Sequence, residues 1–212
     1  ITRRWAKERK QWGGPIGKHE AVATKIGEMA ATAFAMDAMV GLSSALVDRK
    51  TVDMRLEASI AKLFCSEACW RIVDDTVQIR GGRGYETALS LRARGEPAVP
   101  VERRMRDSRI NLIIEGTSQI MRLFIAREAL DAHMRIVGAL LDPHQPIAGK
   151  LKAAASALGR YAVWYPQQWL AWTWWPRHER FGPRLAGHAR FLERTSHRLA
   201  RALFHSAMRH QT

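Results

Sequence analysis

The stretch from His19 to Arg49 decides the fold, and it reads HEAVATKIGEMAATAFAMDAMVGLSSALVDR. It is rich in Ala, Met and Leu, has no Gly-Pro break, and repeats its larger apolar residues at helical spacing, which predicts one long helix. A second run with the same period extends from Met54 to Ile79 and ends at Gly81-Gly82. Because a short polar link joins the two runs, we expect them to pack as an antiparallel pair.

The rest of the chain also predicts helices, so the expected fold class is all-α: an up-and-down helical bundle followed by a further helical segment. Residues 1–12 are expected to be the tail of a helix that stops at Gly13-Gly14-Pro15. Residues 80–105 hold four glycines and two prolines and predict a loop. A third helix is expected from Thr117 to about Val137, and an amphipathic basic helix from Leu185 to Met208. No segment predicts a strand.

The composition is that of a folded globular protein. Of the 212 residues, 47% are hydrophobic and 25% are charged, with a formal net charge of +14, which excludes disordered, low-complexity and collagen-like classes. Residues 30–46 and 113–126 are the longest apolar stretches. Polar residues interrupt both before they reach the ~18–20 residues that span a bilayer, so we do not expect an integral membrane protein.

Three further features bear on the location of the chain, on metal binding and on its completeness. Cys65 and Cys69 lie one helical turn apart, where a disulfide would be strained, and no secretory signal is visible, so a cytoplasmic location is expected. The eight histidines form no ligand pair backed by Cys or carboxylate, so no metal site is expected. The sequence opens on Ile1 within a helix tail that is too short to be stable alone, which favours a segment of a longer protein.

A change in composition predicts a domain boundary near residue 142. Residues 142–146 read DPHQP, as a linker would, and five of the eight tryptophans follow between Trp164 and Trp175. We therefore expect a helical bundle over residues 1–141 and an additional helical region over residues 142–212, first Trp-rich and then basic. Tryptophan and arginine together favour a membrane interface or a partner surface, and a packed helix with a solvated basic face is the alternative.

Glu115 is the strongest candidate for a catalytic residue. It follows the apolar run Ile113-Ile114 and precedes Gly116 and the start of a helix. Burial raises the pKa of a carboxyl group and a helix N-terminus lowers it, so a carboxylate in this setting can act as a base toward a carbon acid. The alternative is structural: the glutamate caps its helix or pairs with Arg106 or Arg109.

The segment from Gln78 to Gly84, QIRGGRG, is a candidate anion site. Adjacent glycines at a helix end allow close backbone approach, and the two arginines supply charge for a phosphate or pyrophosphate. An ordinary helix end followed by a turn is an equally good interpretation. The segment is not a dinucleotide fingerprint, because no strand precedes it and no helix opens at it.

Five motifs in order carry a family resemblance. They are Glu8-Arg9-Lys10-Gln11-Trp12-Gly13, Gln78-Ile79-Arg80-Gly81-Gly82-Arg83-Gly84-Tyr85, Met105-Arg106-Asp107, Glu115-Gly116-Thr117-Ser118-Gln119-Ile120 and Ala126-Arg127-Glu128. The series resembles the carboxy-terminal helical domain of the acyl-CoA dehydrogenases, over roughly residues 1–134. The tail beyond residue 142 is similar to the start of the extra helical region in very-long-chain-type members.

The resemblance implies an FAD-dependent oxidoreductase that removes hydrogen from the α and β carbons of an acyl-CoA thioester in fatty-acid β-oxidation. It implies that Glu115 is the catalytic base and that its backbone N–H binds the thioester oxygen, with Ile114 and Gly116 lining the substrate. The residues that match the family's FAD contacts are Arg9, Gln11, Trp12, Gln78, Gly82, Thr117 and Gln119. Because those contacts cross a subunit interface, at least a dimer is implied, with an electron-transferring flavoprotein as acceptor.

The chain also departs from the family pattern. Ile114 replaces a frequent aromatic residue, Gln11-Trp12 replaces a frequent Thr-Phe pair, and residues 87–100 are an insertion relative to short-chain and medium-chain members. The family's amino-terminal and central domains are missing, so this chain alone is expected to be inactive. An acyl-CoA oxidase of the same fold is one alternative. A non-catalytic basic helical module that binds membrane or nucleic acid is another, although no base-reading motif accompanies the charge and nucleic acid is not expected as a partner.

Overall fold

The structure, a computed structural model, describes residues 1–50, 53–170 and 180–209. The chain forms two compact units, Ile1–Ala126 and Arg127–Thr212, and each is described by itself. The elements in chain order are α1 Thr2–Glu8, β1 Lys10–Gln11, β2 Gly14–Pro15, a 3₁₀ turn Ile16–Lys18, α2 Glu20–Arg49, α3 Arg55–Arg80, α4 Gly82–Tyr85, α5 Ala88–Ala93, α6 Val101–Ile110, α7 Ser118–Leu141, α8 Ile147–Leu170 and α9 Gly182–Arg209.

The all-α class predicted from the sequence is confirmed, and the two long helices are the framework of the first unit. Helices α2 and α3 pack against each other. A salt bridge joins Lys25 near the start of α2 to Asp75 near the end of α3, so the two helices run antiparallel. Gly81 ends α3 with a φ of 61°, and its N–H donates to the Gln78 carbonyl at 3.1 Å.

The predicted N-terminal helix tail is wrong beyond Glu8. The chain leaves α1 at Arg9 in an extended conformation and forms a two-residue antiparallel hairpin, in which Lys10 pairs with Pro15 and Gln11 pairs with Gly14. Trp12 and Gly13 form its turn with φ values of 48° and 83°. Two successive positive φ values match the twist of a tight hairpin, so the helical spacing of the tryptophans was misleading here. The expectation that the chain has no strand is wrong for the same reason.

The predicted loop over residues 80–105 contains more helix than expected. Helices α4 and α5 and the start of α6 lie within it. Thr87 caps the N-terminus of α5, and its hydroxyl accepts from the Ser90 N–H at 3.2 Å. Arg83 bonds to Glu96 at 2.8 Å and to Glu86 at 3.3 Å, and these ion pairs tie the short helices together. The glycines marked helix ends in this segment rather than a continuous loop.

The core of the first unit lies where α1 meets α2 and α3. Ala6, Ile16 and Ile79 are its buried members, and the partly buried residues packed on them are Trp5, Val22, Ile26 and Met29. Thr2 and Thr76 share a hydrogen bond of 2.9 Å between their hydroxyls. This core therefore fixes the hairpin beside the C-terminal end of α3.

Helix α2 differs from the sequence expectation about membranes. An 18-residue window within it reaches a mean hydropathy of 1.5. Among the described residues, α2 is the one helix whose length and apolar composition would allow it to cross a membrane. The apolar segment is longer than expected because the helix continues through its isolated polar residues, and the expectation that the chain is not an integral membrane protein stays a prediction. Length and composition alone are weak support for a membrane span, since core helices satisfy the same test.

The second unit packs around an aromatic cluster that joins α7, α8 and α9. His133, Tyr161, Trp164 and Phe204 have ring centroids 5.0–6.0 Å apart. Helix α8 lies in the predicted additional helical region, for which the sequence predicted no helix bounds before Leu185, and α9 confirms the predicted basic helix. Trp172, Trp174 and Trp175 of the predicted tryptophan cluster lie outside the described residues. The division of the chain at residue 142 stays a prediction.

Candidate functional site

Five of the seven predicted cofactor-binding residues line one cleft in the first unit. The cleft has a volume of about 380 Å³, and Arg9, Gln11, Trp12, Gln78 and Gly82 all border it. The hairpin supplies the first three of these residues, and the end of α3 supplies the others. The fold thus brings together two motifs that are separated by more than sixty residues in sequence.

Local hydrogen bonds hold the hairpin side of the cleft in place. The Arg9 carbonyl accepts from the Ile16 N–H at 2.8 Å, which closes the base of the hairpin. The Gln11 carbonyl lies 3.1 Å from Nε2 of His19, and the His19 ring meets the edge of the Trp12 ring at 5.6 Å. Trp12 itself is 87% exposed, so its indole is presented at the surface of the unit.

Glycines shape the opposite wall of the cleft. A Cβ added at Gly82 would meet no atom within 4 Å, so the backbone there is open to the cleft. Gly84 is different, because an added Cβ would lie 2.7 Å from the Val77 carbonyl oxygen. The glycine motif is therefore a helix end that also forms the wall of a cleft, and its role as an anion site stays a prediction.

The cleft is strongly basic, and the sequence indicated one of its cations, Arg80, only as a charge of the glycine motif and not among the FAD contacts. Arg9, Arg80 and Arg83 line it, and none of its lining residues, all from the described part of the chain, is Asp or Glu. Arg80 is only 7% exposed, and its Nε has no hydrogen-bond partner among the described residues. Burial lowers the pKa of Arg80, and the charge of Glu96 opposes this. The available signal was an arginine directly before the helix-ending glycines.

These features fit the pyrophosphate of FAD. The cleft has guanidinium groups without competing carboxylates, a buried N–H donor without a partner, and an open glycine backbone. One guanidinium group can donate two parallel hydrogen bonds to the oxygens of a phosphate, and a glycine backbone lets a ligand approach closely. Gln11 and Gln78 add amide groups that can donate or accept hydrogen bonds.

Glu115 lies on a separate cavity of the same unit. The cavity has a volume of about 360 Å³ and is lined by Met36, Lys62, Cys65, Ser66, Cys69, Asn111, Ile114 and Glu115. Both cysteines are free thiols, and burial raises the pKa of Cys65. No cluster of metal-ligating side chains occurs among the described residues.

The loop that carries Glu115 has an unusual backbone. Glu115 and Gly116 both have positive φ values, 53° and 92°, and a non-glycine residue rarely adopts this conformation. The ammonium group of Lys62 donates to the Gly116 carbonyl, and the Ser118 N–H donates to the Leu112 carbonyl at 3.2 Å. These two bonds anchor the loop on either side of the strained residues.

Neither structural alternative for Glu115 is found among the residues that the structure describes. Thr117 caps α7, since its hydroxyl accepts from the Ile120 N–H at 3.3 Å. Arg106 pairs instead with Glu102 at 2.8 Å, and Arg109 lies over the ring of Trp70. Glu115 is exposed, so the apolar burial expected from its neighbours is absent in this chain. Ile114 shares its cavity, whereas Gly116, Thr117 and Gln119 border neither this cavity nor the basic cleft.

Comparisons with known proteins point to one family. Residues 1–130 match the family model described as acyl-CoA dehydrogenase, C-terminal domain. The chain is 52% identical over 211 residues to the probable acyl-CoA dehydrogenase FadE10 of Mycobacterium tuberculosis, covering 100% of this chain and 32% of that protein. It is 34% identical over 159 residues to the mitochondrial very long-chain specific acyl-CoA dehydrogenase of Mus musculus, covering 73% of this chain and 23% of that protein.

A solved structure shares the fold of the first part of the chain. Butyryl-CoA dehydrogenase from Megasphaera elsdenii matches with a TM-score of 0.52 and 28% identity, covering 61% of this chain and 31% of that one. The chain thus spans about a third of the length of the first relatives that it matches. The match over residues 1–130 shows that the chain belongs to the acyl-CoA dehydrogenase family and carries its C-terminal domain.

Proposed function

We propose that this chain is the C-terminal part of an FAD-dependent enzyme that introduces a double bond between the α and β carbons of an acyl-CoA thioester. Members of the family depend on FAD and use acyl-CoA substrates. The observation that carries the proposal is Glu115, which lies without a salt-bridge partner among the described residues on an anchored loop beside a cavity. A free carboxylate in that position can accept a proton from carbon.

The chemistry of this chain's own residues is acid–base chemistry and positioning. The α C–H bond breaks, its proton passes to the Glu115 carboxylate, and the electron pair forms the new double bond as hydride leaves the β carbon. FAD, when bound, would supply the acceptor for that hydride. The N–H of Glu115 donates to the thioester oxygen as negative charge develops there, and the left-handed backbone fixes the direction of this N–H.

The basic cleft is the proposed FAD site of this chain. Arg9 and the open backbone at Gly82 would hold the pyrophosphate, and Gln11, Trp12 and Gln78 would hold neighbouring groups. Thr117 and Gln119 lie at the start of α7 and not on the cleft, so they would contact a different part of the cofactor. Two copies of the chain would then be needed to surround each FAD.

The test replaces the base alone. In the native protein purified through a tag on this chain, Glu115→Gln should lower turnover of acyl-CoA by at least about a thousandfold, because the amide cannot accept the proton. Flavin absorbance should stay unchanged. Glu20→Gln, at the exposed start of α2, is the matched control. Wild-type-like turnover in Glu115→Gln would remove the catalytic assignment.

The electron acceptor is the point at which a dehydrogenase and an oxidase differ. We propose an electron-transferring flavoprotein, because the family resemblance favours a dehydrogenase. Stopped-flow reoxidation of the substrate-reduced enzyme, with such a flavoprotein or with dissolved oxygen, measures the difference. Faster reoxidation by oxygen would make the protein an acyl-CoA oxidase.

Contact of α9 with a membrane surface is a further part of the proposal. Leu185, Leu192 and Leu199 repeat every seventh residue, and each is more than half exposed. Arginines occupy another face of the same helix, an arrangement typical of helices that lie on anionic membranes. Anionic vesicles should therefore bind the protein, and Leu192→Glu should weaken this binding. Salt-sensitive DNA binding without vesicle binding would favour the non-catalytic alternative.

A further inference from the structure

Arg80 is the buried cation of the basic cleft. The residue is only 7% exposed, and its Nε has no hydrogen-bond partner among the described residues. No described carboxylate forms a salt bridge with it. Burying an N–H of a guanidinium without a hydrogen-bond partner costs free energy, so a side chain that served stability alone would be apolar here.

The neighbours of Arg80 hold its guanidinium in one place. Its central carbon lies 4.6 Å from the centroid of the Trp5 ring. The indole N–H of Trp5 in turn donates to the Ile79 carbonyl at 3.2 Å, which fixes the ring. A guanidinium stacked on a fixed aromatic face is oriented before any ligand arrives, and this lowers the entropy cost of binding.

The other arginines of the cleft differ in their availability. Arg83 is paired with Glu96 and Glu86, so its charge is already balanced. Arg9 is exposed on the hairpin. Arg9 and Arg80 therefore remain as cations that can bind an anion in the cleft, one from each wall.

We propose that Arg80 is a cofactor-binding residue that binds the pyrophosphate of FAD together with Arg9. This inference rests on the proposed role of the cleft as the FAD site. A pyrophosphate carries two adjacent anionic groups, which matches two cations on opposite walls, and a guanidinium can bond to two oxygens of one phosphate. The Arg80 side chain contributes binding energy for the cofactor and costs stability when the cofactor is absent.

The experiment measures these opposite effects in the native protein that carries this chain. Arg80→Met keeps the length of the side chain and removes its charge. We expect FAD affinity, followed by flavin fluorescence, to fall at least tenfold, and ADP affinity to fall by a similar factor because ADP retains the two phosphates. After flavin removal, the midpoint of thermal unfolding should be unchanged or higher than in the wild type.

Arg71→Met is the matched control, because Arg71 is exposed on the same helix and does not line the cleft. It should leave the affinity for FAD and ADP within twofold of the wild type. If the wild type binds neither FAD nor ADP, the cleft is not the cofactor site and the proposed FAD contacts fail. If the wild type binds both and Arg80→Met binds them equally well, the role of Arg80 is overturned while the proposed function stands.

Discussion

Gly82 and Gly84 lie two residues apart in one motif but are under different constraints. Gly84 is buried, and an added Cβ would lie 2.7 Å from the Val77 carbonyl oxygen and 2.9 Å from the Val77 Cα. Because those atoms belong to the backbone of α3, they cannot move away easily. Gly82 has open space where a Cβ would stand. Gly82 therefore leaves room for a ligand, whereas Gly84 is required by packing.

Alanine substitutions should separate these two roles. Gly84→Ala is expected to lower the free energy of unfolding by about 1–3 kcal/mol, as overpacking does. Gly82→Ala should change it by less than about 0.5 kcal/mol, as an open surface position does, but should weaken FAD binding because a methyl group enters the cleft. Urea unfolding and flavin titration measure the two quantities. Equal destabilisation by both substitutions would contradict this assignment.

Lys62 is a positioning residue of the Glu115 loop. It donates to the Gly116 carbonyl and lines the cavity beside Glu115. Lys62→Met should lower kcat at least about tenfold with flavin content unchanged, because the strained loop loses an anchor. Lys62→Arg retains a donor and should recover most of the loss. If methionine and arginine variants lose activity equally, or neither does, the anchoring role is wrong.

At the scale of elements, sequence periodicity was sufficient for long helices and insufficient for short segments. Helices α2 and α3 confirm the predicted runs because each repeats its apolar residues over many turns. Trp5 and Trp12 have helical spacing, yet the turn at Trp12-Gly13 is set by backbone conformation, which periodicity does not report. The short helices α4 and α5 depend on tertiary contacts such as the Arg83–Glu96 pair.

The candidate site shows the same limit. The motifs indicated Arg9 and Gln78 separately, but only the fold places them on one cleft. The sequence indicated Arg80 only as a charge beside the glycines, because its burial and its unpaired Nε arise from the packing of α1 against α3. The strained conformation of Glu115 likewise follows from the loop between α6 and α7, since nothing in the residue type favours it.

The packing of α7, α8 and α9 should depend on pH through His133. Burial lowers the pKa of His133 below its ordinary value near 6.5, and the charge of Arg160 acts in the same direction. Nδ1 of the ring lies 2.9 Å from the Tyr161 hydroxyl. Because the folded-state pKa of His133 is depressed, the unfolded chain binds more protons in acid than the folded chain does. The stabilisation that comes from the neutral ring is therefore present above pH 6.5 and is lost as pH falls through the folded-state pKa.

Thermal unfolding measured between about pH 8 and pH 5 tests this effect. The range extends about one to two pH units on each side of the ordinary histidine pKa. The unfolding midpoint of the wild type should fall more steeply with acid than that of His133→Asn, which cannot titrate. His144→Asn, in the turn before α8, is the control and should follow the wild type. Parallel curves for the wild type and His133→Asn would show that His133 does not govern the acid sensitivity.

At the scale of the whole molecule, α2 leaves a large apolar surface uncovered. None of its residues is buried, and Phe34 and Leu42 are 76% and 64% exposed. Uncovered apolar patches of this kind mark surfaces that other protein covers. Helix α2 lies within the residues that match the family domain, and family members often form oligomers. This surface therefore supports the proposed assembly of at least two copies.

The assembly makes a prediction about which copy supplies each half of the active site. The basic cleft and the Glu115 cavity share no lining residue, so one FAD and one substrate could be held by two copies. Arg9→Met damages the cleft alone, and Glu115→Gln damages the base alone. Co-expression with two different tags isolates the mixed dimer. If the halves of each site come from different copies, one of its two sites contains both defects and the other is intact, so turnover should be about half that of the wild type. If both halves come from one copy, each site carries one defect, and the mixed dimer should be as inactive as the two single variants.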